Sequence, residues 1–181
     1  MLTSWKVETM TPTDGITGER ADLLETLATH RNFLRFTVRD LTDSQAVQRP
    51  TASELCLGGL IKHVAGTERT WMNFVLGEPD ALGGGADSTV DDREKEFGML
   101  PGETLAGLLA QYCEVAGNTD RLVATLPDLD SSRPLPEAPW FEPGARWSVR
   151  RVLLHVIAET AQHAGHADII RESLDGSKTM G

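Results

Sequence analysis

Residues 148–176 read SVRRVLLHVIAETAQHAGHADIIRESLDG. Val149, Val152, Leu153, Val156, Ile157 and Leu174 recur at helical spacing and, at about 100° per residue, occupy a stripe of roughly 60° to 200° measured from His155. Ser148 is a good N-cap, because its hydroxyl can accept an orphan backbone N–H of the first turn, and Asp175-Gly176 supplies a stop. The stretch therefore predicts one long amphipathic helix from Ser148 to about Ser173. Within it sit three of the five histidines of the chain.

Three further segments have the same character. The first runs from about Gly18 to Asp40, with Leu23, Leu24, Leu27, Phe33, Leu34 and Val38 on its apolar side; Leu41-Thr42-Asp43-Ser44 and Arg49-Pro50 end it. The second runs from about Leu57 to Leu76 and is stopped by Gly77 and Pro79. The third runs from Glu103 to Leu126, before Pro127. Between the second and third lies a polar connection with Gly83-Gly84-Gly85 and the run Asp91-Asp92-Arg93-Glu94, read as a solvated face or loop. A proline-rich stretch (Pro134, Pro136, Pro139, Pro143) leads to the fourth. No hairpin dipeptide lies between alternating apolar runs. Four long helices joined by connections of roughly ten to twenty-five residues predict an all-α four-helix bundle with at least one crossover connection.

The chain has 181 residues, a length for one domain spanning 1–181 rather than two. A net charge of -10 argues against nucleic acid, since phosphate binding needs a concentrated basic surface. Two cysteines, Cys56 and Cys113, make no disulfide framework and are read as reduced core thiols. The opening MLTSWKVETMTPTDG has no apolar signal-peptide core, and no apolar run approaches the ~20 residues of a membrane span. The expectation is a cytoplasmic protein with no membrane association. The sequence is silent on oligomeric state, and a homodimer is compatible with it.

The polar residues of the fourth helix carry the chemistry. Relative to His155, Glu159 falls at ~40°, His163 at ~80° and His166 at ~20°, so all four share one strip at the margin of the core-facing stripe. A semi-buried carboxylate among imidazoles needs a partner, and a bound cation supplies one. Residues four apart on a helix can converge on one ion, as in the metal sites of helical bundles. His155/Glu159, Glu159/His163 and His163/His166 all qualify, and spacing does not choose among them. His63 lies at the edge of the second helix's apolar stripe (Leu57, Leu60, Ile61, Val64, Trp71, Phe74, Val75) and would approach the cluster if those two faces pack together. A lone histidine at a core margin is more often a hydrogen-bonded core residue than a ligand; three histidines and a glutamate on one strip make a metal a serious competitor.

The segment 148–176, together with LGGLIKHVAGTERTWM at 57–72, resembles the DinB-like superfamily, in particular a branch of unknown function with many small actinobacterial proteins. The string His-Ala-Gly-His-Ala-Asp-Ile-Ile-Arg-Glu at 163–172 is its specific part. The resemblance implies a four-helix bundle whose divalent metal is held by one histidine of the second helix and two residues four apart on the fourth: here His63, Glu159 and His163. Many relatives have histidine where this chain has Glu159, whereas mycothiol-dependent maleylpyruvate isomerases are similar to it in using His, Glu and His at a zinc site. Zinc is thus the preferred ion, with nickel, iron or manganese also suited to imidazole and carboxylate. His155 and His166 would lie close to the ion without binding it, hydrogen-bonding the groups that do.

Related members join mycothiol or bacillithiol to electrophiles. The resemblance therefore implies a metal-dependent transferase adding a low-molecular-weight thiol to a small electrophile, in detoxification or stress response. A non-catalytic metal-binding or regulatory bundle, and a hydrolase or isomerase using metal-activated water, are the competing readings, because one bundle hosts several chemistries. Asp168 is expected to face away from the metal. Arg171 and Glu172 are expected in salt bridges, Trp71, Trp140 and Trp147 as core or pocket walls, and Glu68 in a structural role.

Overall fold

The computed structural model describes residues 16–83 and 95–179. Gly84, Gly85 and the run 91–94, read above as a solvated connection, lie outside the described residues. The described residues include α1 (Glu19–Thr37), α2 (Asp43–Ala46), α3 (Leu57–Leu76), α4 (Leu105–Thr125), β1 (Ser132–Pro134), β2 (Arg146–Ser148) and α5 (Val149–Asp175). The four long helices are the four expected. The ends follow from local chemistry. Ser148 accepts the N–H of Arg151 and caps α5, Thr104 accepts that of Gly107 and caps α4, and Gly77 and Gly176 close α3 and α5 in the left-handed conformation that glycine adopts without strain.

In cross-section the long helices follow the order α1, α5, α3, α4: α1 packs along α5, and α3 packs against both α5 and α4. Helices α1 and α3, consecutive long helices in the chain, touch little, so the connection through α2 crosses the end of the bundle. This is the crossover that the long connections called for. Helix α2 is a single turn with a reciprocal capping box between Thr42 and Gln45, and its Asp43 Oδ1 accepts the N–H of Leu105 at 2.7 Å, fastening it to the start of α4. The antiparallel ribbon pairs Arg133 with Trp147. Arg133 donates to the carbonyls of Val75 and Leu76 at 2.8 and 3.0 Å, capping the C-terminus of α3 with a cation. Among the described residues no helix is long and apolar enough to cross a membrane.

The core consists of two apolar clusters. One gathers Leu34, Leu60, Ile61, Val64, Leu108 and Ala167; the other gathers Leu27, Trp71, Phe74, Val123, Val152 and Val156. On each long helix a polar residue lies between the two: Arg31, Glu68, Thr119 and Thr160, all buried. Arg31 Nε donates to Glu68 Oε2 at 3.1 Å, its Nη2 pairs with Glu68 Oε1, and its Nη1 reaches Asp120 at 2.8 Å. Glu68 is fully buried, so the structural role expected of it holds, with Arg31 as the partner that sequence reading did not single out. Arg171 pairs with Asp175 at 2.9 Å and donates to the carbonyls of Thr37 and Arg39, closing the C-terminus of α1. Glu172 pairs with Lys178.

Three side chains depart from expectation. Cys113 is exposed, because Tyr112 beside it takes the inward-facing position of α4. Phe33 points outward from α1 beside the buried Leu34. Trp140 is 58% exposed on the proline-rich connection, so it is no core wall.

Removing one partner of a buried ion pair strands the other. Glu68→Ala should cost about 3–5 kcal/mol in urea denaturation, whereas the double replacement Arg31→Met/Glu68→Leu should recover most of that loss. Equal losses in the single and double variants would contradict this account of the layer.

Candidate metal centre

Packing of α3 against α5 brings together the polar margins of their apolar stripes. His63 follows the buried Leu60 and Ile61 on α3; Glu159 and His163, one turn apart, flank the buried Thr160 on α5. One donor atom from each of His63, Glu159 and His163 lies within 4.8 Å of the other two. Of the three pairs open to α5 by spacing, Glu159/His163 is the one that joins His63. His163 Nε2 stands 3.5 Å from Glu159 Oε2. The His63 ring meets the His163 ring edge-on, with centroids 4.7 Å apart.

His166 reaches the other nitrogen of His163: the two Nδ1 atoms are 3.4 Å apart. One of them must carry the proton and the other accept it. With no ion present, Nε2–H of His163 faces the Glu159 carboxylate and its Nδ1 accepts from His166; an ion taking the Nε2 lone pair would require the proton on Nδ1, donated to His166. His166 is thus placed against a member of the cluster. His155 has other neighbours. Its ring stands edge-on to Trp71 at 4.8 Å and to Trp147 at 5.2 Å, and these two indoles are stacked on each other at 4.8 Å. Trp71 and Trp147 therefore form an aromatic wall one turn along α5 from Glu159. Asp168 Oδ1 accepts the N–H of Thr179, which engages it with the C-terminal segment.

Two contributors lie outside α3 and α5. Residues 95–97 form a helical turn. From it Glu96 Oε1 contacts His63 Nδ1 at 2.8 Å, and Phe97 stacks on the His63 ring with centroids 4.1 Å apart. Neither was singled out in the sequence, where both sit in the acidic connection. The signal that could have found them is Gly58-Gly59, a glycine pair inside a helix that marks close approach of other chain. A Cβ on Gly59 would collide with the Phe97 carbonyl, and one on Gly58 with the Met99 side chain.

The electrostatics fit a cation. Glu159 is held below the ordinary carboxylate value by its hydrogen bond to His163, with further help from His155 and His63 and against the effect of burial. Burial, and next the neighbouring His163, push His63 down; Glu96 and Glu159 oppose them. Burial likewise pushes His155 down. The cluster thus presents an ionised Glu159 carboxylate and a His63 whose neutral form is favoured, the protonation states in which such groups bind metal. Two nitrogens and one oxygen suit zinc, and leave coordination positions for water or substrate, as in catalytic rather than closed structural sites.

A helical bundle with a His/Glu/His donor group between two of its helices defines a class of metal-capable DinB-like proteins. A family model described as mycothiol-S-transferase matches residues 22–176, and the chain belongs to that family. The fold is shared with the crystal structure of a conserved protein from Enterococcus faecalis, at a TM-score of 0.70 and 14% identity, over 90% of this chain and 100% of that one. No curated protein matches the sequence.

The lowered values of His63 and His155 have a signed consequence. Both bind fewer protons folded than unfolded, so stability is complete above the ordinary histidine value of 6.5 and falls as the pH drops below it. Glu159 adds a further loss only below its ordinary value of 4.5. The melting temperature of chelator-treated protein should therefore be level above about pH 6.5 and decline towards pH 5, with a shallower decline in His63→Gln. A level profile down to pH 5 would contradict the burial argument.

Proposed function

We propose that this chain is a metal-dependent transferase that joins a low-molecular-weight thiol of the mycothiol kind to a small electrophile, with His63, Glu159 and His163 holding one divalent ion, zinc by preference. The observation that carries the reading is the convergence of these three donors within 4.8 Å of one another in a chain of the mycothiol-S-transferase family. When bound there, the ion would supply Lewis acidity that lowers the pKa of a thiol, making thiolate available at neutral pH.

The protein's own residues do the rest. Glu159 contributes a negative charge that balances part of the ion's. With the ion's charge partly offset, a thiol held there would be acidified less far, and nucleophilicity falls less when the thiol pKa falls less. Phe97 on one side, and Trp71 and Trp147 further along α5, give the neighbourhood apolar walls, which limit water and strengthen electrostatic interactions. His166 stands at Nδ1 of His163, where it could accept the proton of a His163 whose Nε2 holds the ion.

The nucleophile comes from the cosubstrate. Cys56 is 2% exposed at the start of α3, its Sγ directed to the Phe97 carbonyl at 3.7 Å. In the reaction the thiol loses its proton, sulfur forms a bond to the electrophilic carbon, and that carbon expels its leaving group or, in an addition, passes an electron pair to a neighbouring atom, which takes up the proton. The proposal includes a cytoplasmic location, where such thiols are kept reduced.

Two outcomes are expected. Elemental analysis should find close to one zinc per chain in the loaded wild type, little in His63→Ala or Glu159→Ala, and much of it retained in His166→Ala. An emptied His166→Ala beside a loaded Glu159→Ala would mean that the wrong pair of α5 residues has been chosen. Conjugation of mycothiol to monochlorobimane should require both added thiol and bound metal and should survive Cys56→Ala. Full activity after chelation, or its loss in metal-loaded Cys56→Ala, would rule out the mechanism; metal occupancy with no thiol-dependent turnover would favour a binding module.

A further inference from the structure

We propose that Glu96 is a positioning residue for the metal centre: its carboxylate accepts the Nδ1–H of His63 and fixes the tautomer whose Nε2 is the free donor. The inference rests on the reading of His63 as a ligand and adds the group that selects which of its nitrogens serves.

Four observations support it. The contact is short, 2.8 Å between Glu96 Oε1 and His63 Nδ1. A carboxylate is an acceptor, so the proton of a neutral His63 is drawn to Nδ1 and the lone pair is left on Nε2. The ring cannot turn freely to exchange its nitrogens, because Phe97 stacks on it at 4.1 Å with planes 26° apart and His163 meets its edge. The segment that carries Glu96 is itself fixed to α3. The Phe97 carbonyl and Met99 fill the space left by Gly59 and Gly58, Lys62 Nζ lies 3.4 Å from the Gly98 carbonyl and 2.9 Å from Glu103, and Glu103 accepts the N–H of Leu100 at 2.7 Å. A carboxylate on a segment so anchored is held at the ring.

The arrangement repeats, with a different residue, what His166 does for His163. On this reading each histidine of the cluster keeps one nitrogen for the ion while its Nδ1 meets another side chain. Such outer partners orient a ligating imidazole and raise its basicity, and their removal typically lowers metal affinity by about 10–100-fold. The Glu96 side chain is 49% exposed, and exposed ion pairs contribute little to stability. Its loss should therefore be felt by the tautomer and the ion, and hardly by the melting temperature.

The test has two parts. In chelator-treated protein, long-range nitrogen–proton correlation spectra should show wild-type His63 as the Nδ1–H tautomer. Glu96→Ala should show a large Nε2–H population, and Glu96→Gln, whose amide oxygen can accept the same proton, should largely keep the wild-type form. In zinc competition against a chromophoric chelator, Glu96→Ala should bind about 10–100-fold more weakly, Glu96→Gln should recover most of the loss, and the cobalt-substituted proteins should share one visible spectrum. An Nε2–H tautomer in the wild type, or unchanged tautomer and affinity in Glu96→Ala, would overturn the proposal. A cobalt spectrum altered in intensity by Glu96→Ala would overturn it in favour of Glu96 as a direct ligand. Wild-type protein that binds no zinc yet shows the Nδ1–H tautomer would overturn the metal reading, and with it Glu96's role towards the ion, leaving the orienting contact as a separate fact.

Discussion

Burying ionisable groups at mid-height in a helical bundle is the constraint on which this structure turns. Each long helix contributes a polar residue where an apolar one would pack more simply, and each such group needs a partner. Arg31 satisfies Glu68 and Asp120 within the protein, so that part of the layer is closed: one cation between two carboxylates, linking α1, α3 and α4. On the α3–α5 side the accounts are different. The carboxylate of Glu159 faces His163 and lies near His63 and His155, whose neutral forms burial favours, and among the described residues no arginine or lysine is recorded in a salt bridge with Glu159. One side of the layer carries its own cation; the other, on the function proposed here, would receive one.

The rest of the fold can be understood as holding that second group in place. Helix α5 is the longest, and its register fixes the spacing of Glu159 and His163. Its two ends are secured by the Ser148 cap and by Arg171, which joins it to the end of α1. Helix α3 brings His63 and is fixed at its C-terminus by Arg133 of the ribbon. The ribbon also sets Trp147 on Trp71, so a strand pair of three residues a side shapes the aromatic wall beside the site. The glycine pair at the start of α3 admits the 95–100 segment and places Phe97 over His63. Helix crossing, cap, ribbon and close approach all converge on a few ångströms of donor geometry.

How much of this was legible in the sequence depends on the range of the signal. The 3.6-residue periodicity located α1, α3, α4 and α5 to within about a turn, since an apolar stripe is a local record of burial. The polar strip of α5 pointed to His155, Glu159, His163 and His166 without choosing among them, the margin of the apolar stripe of α3 brought in His63, and the resemblance selected Glu159 and His163. Long-range pairing left no such record. Arg31 looks like any arginine on an amphipathic helix until Glu68 is found across from it. The ribbon strands Ser132–Pro134 and Arg146–Ser148 are too short to alternate, and one contains a proline. Glu96 and Phe97 sit in a stretch whose composition reads as solvated connection, and their importance comes from what Gly58 and Gly59 allow. Cys113 and Trp140 were misjudged because residue type was used where position decides: one faces away from the core on α4, the other stands on an exposed turn.

X-ray absorption at the zinc edge of the loaded protein, recorded with and without mycothiol, tests the central claim most directly. The account predicts a resting shell of nitrogen and oxygen donors with the multiple-scattering signature of two imidazoles, and one sulfur scatterer at about 2.3 Å appearing only when thiol is added. Sulfur in the resting shell, a shell without imidazole, or one unchanged by thiol would contradict it.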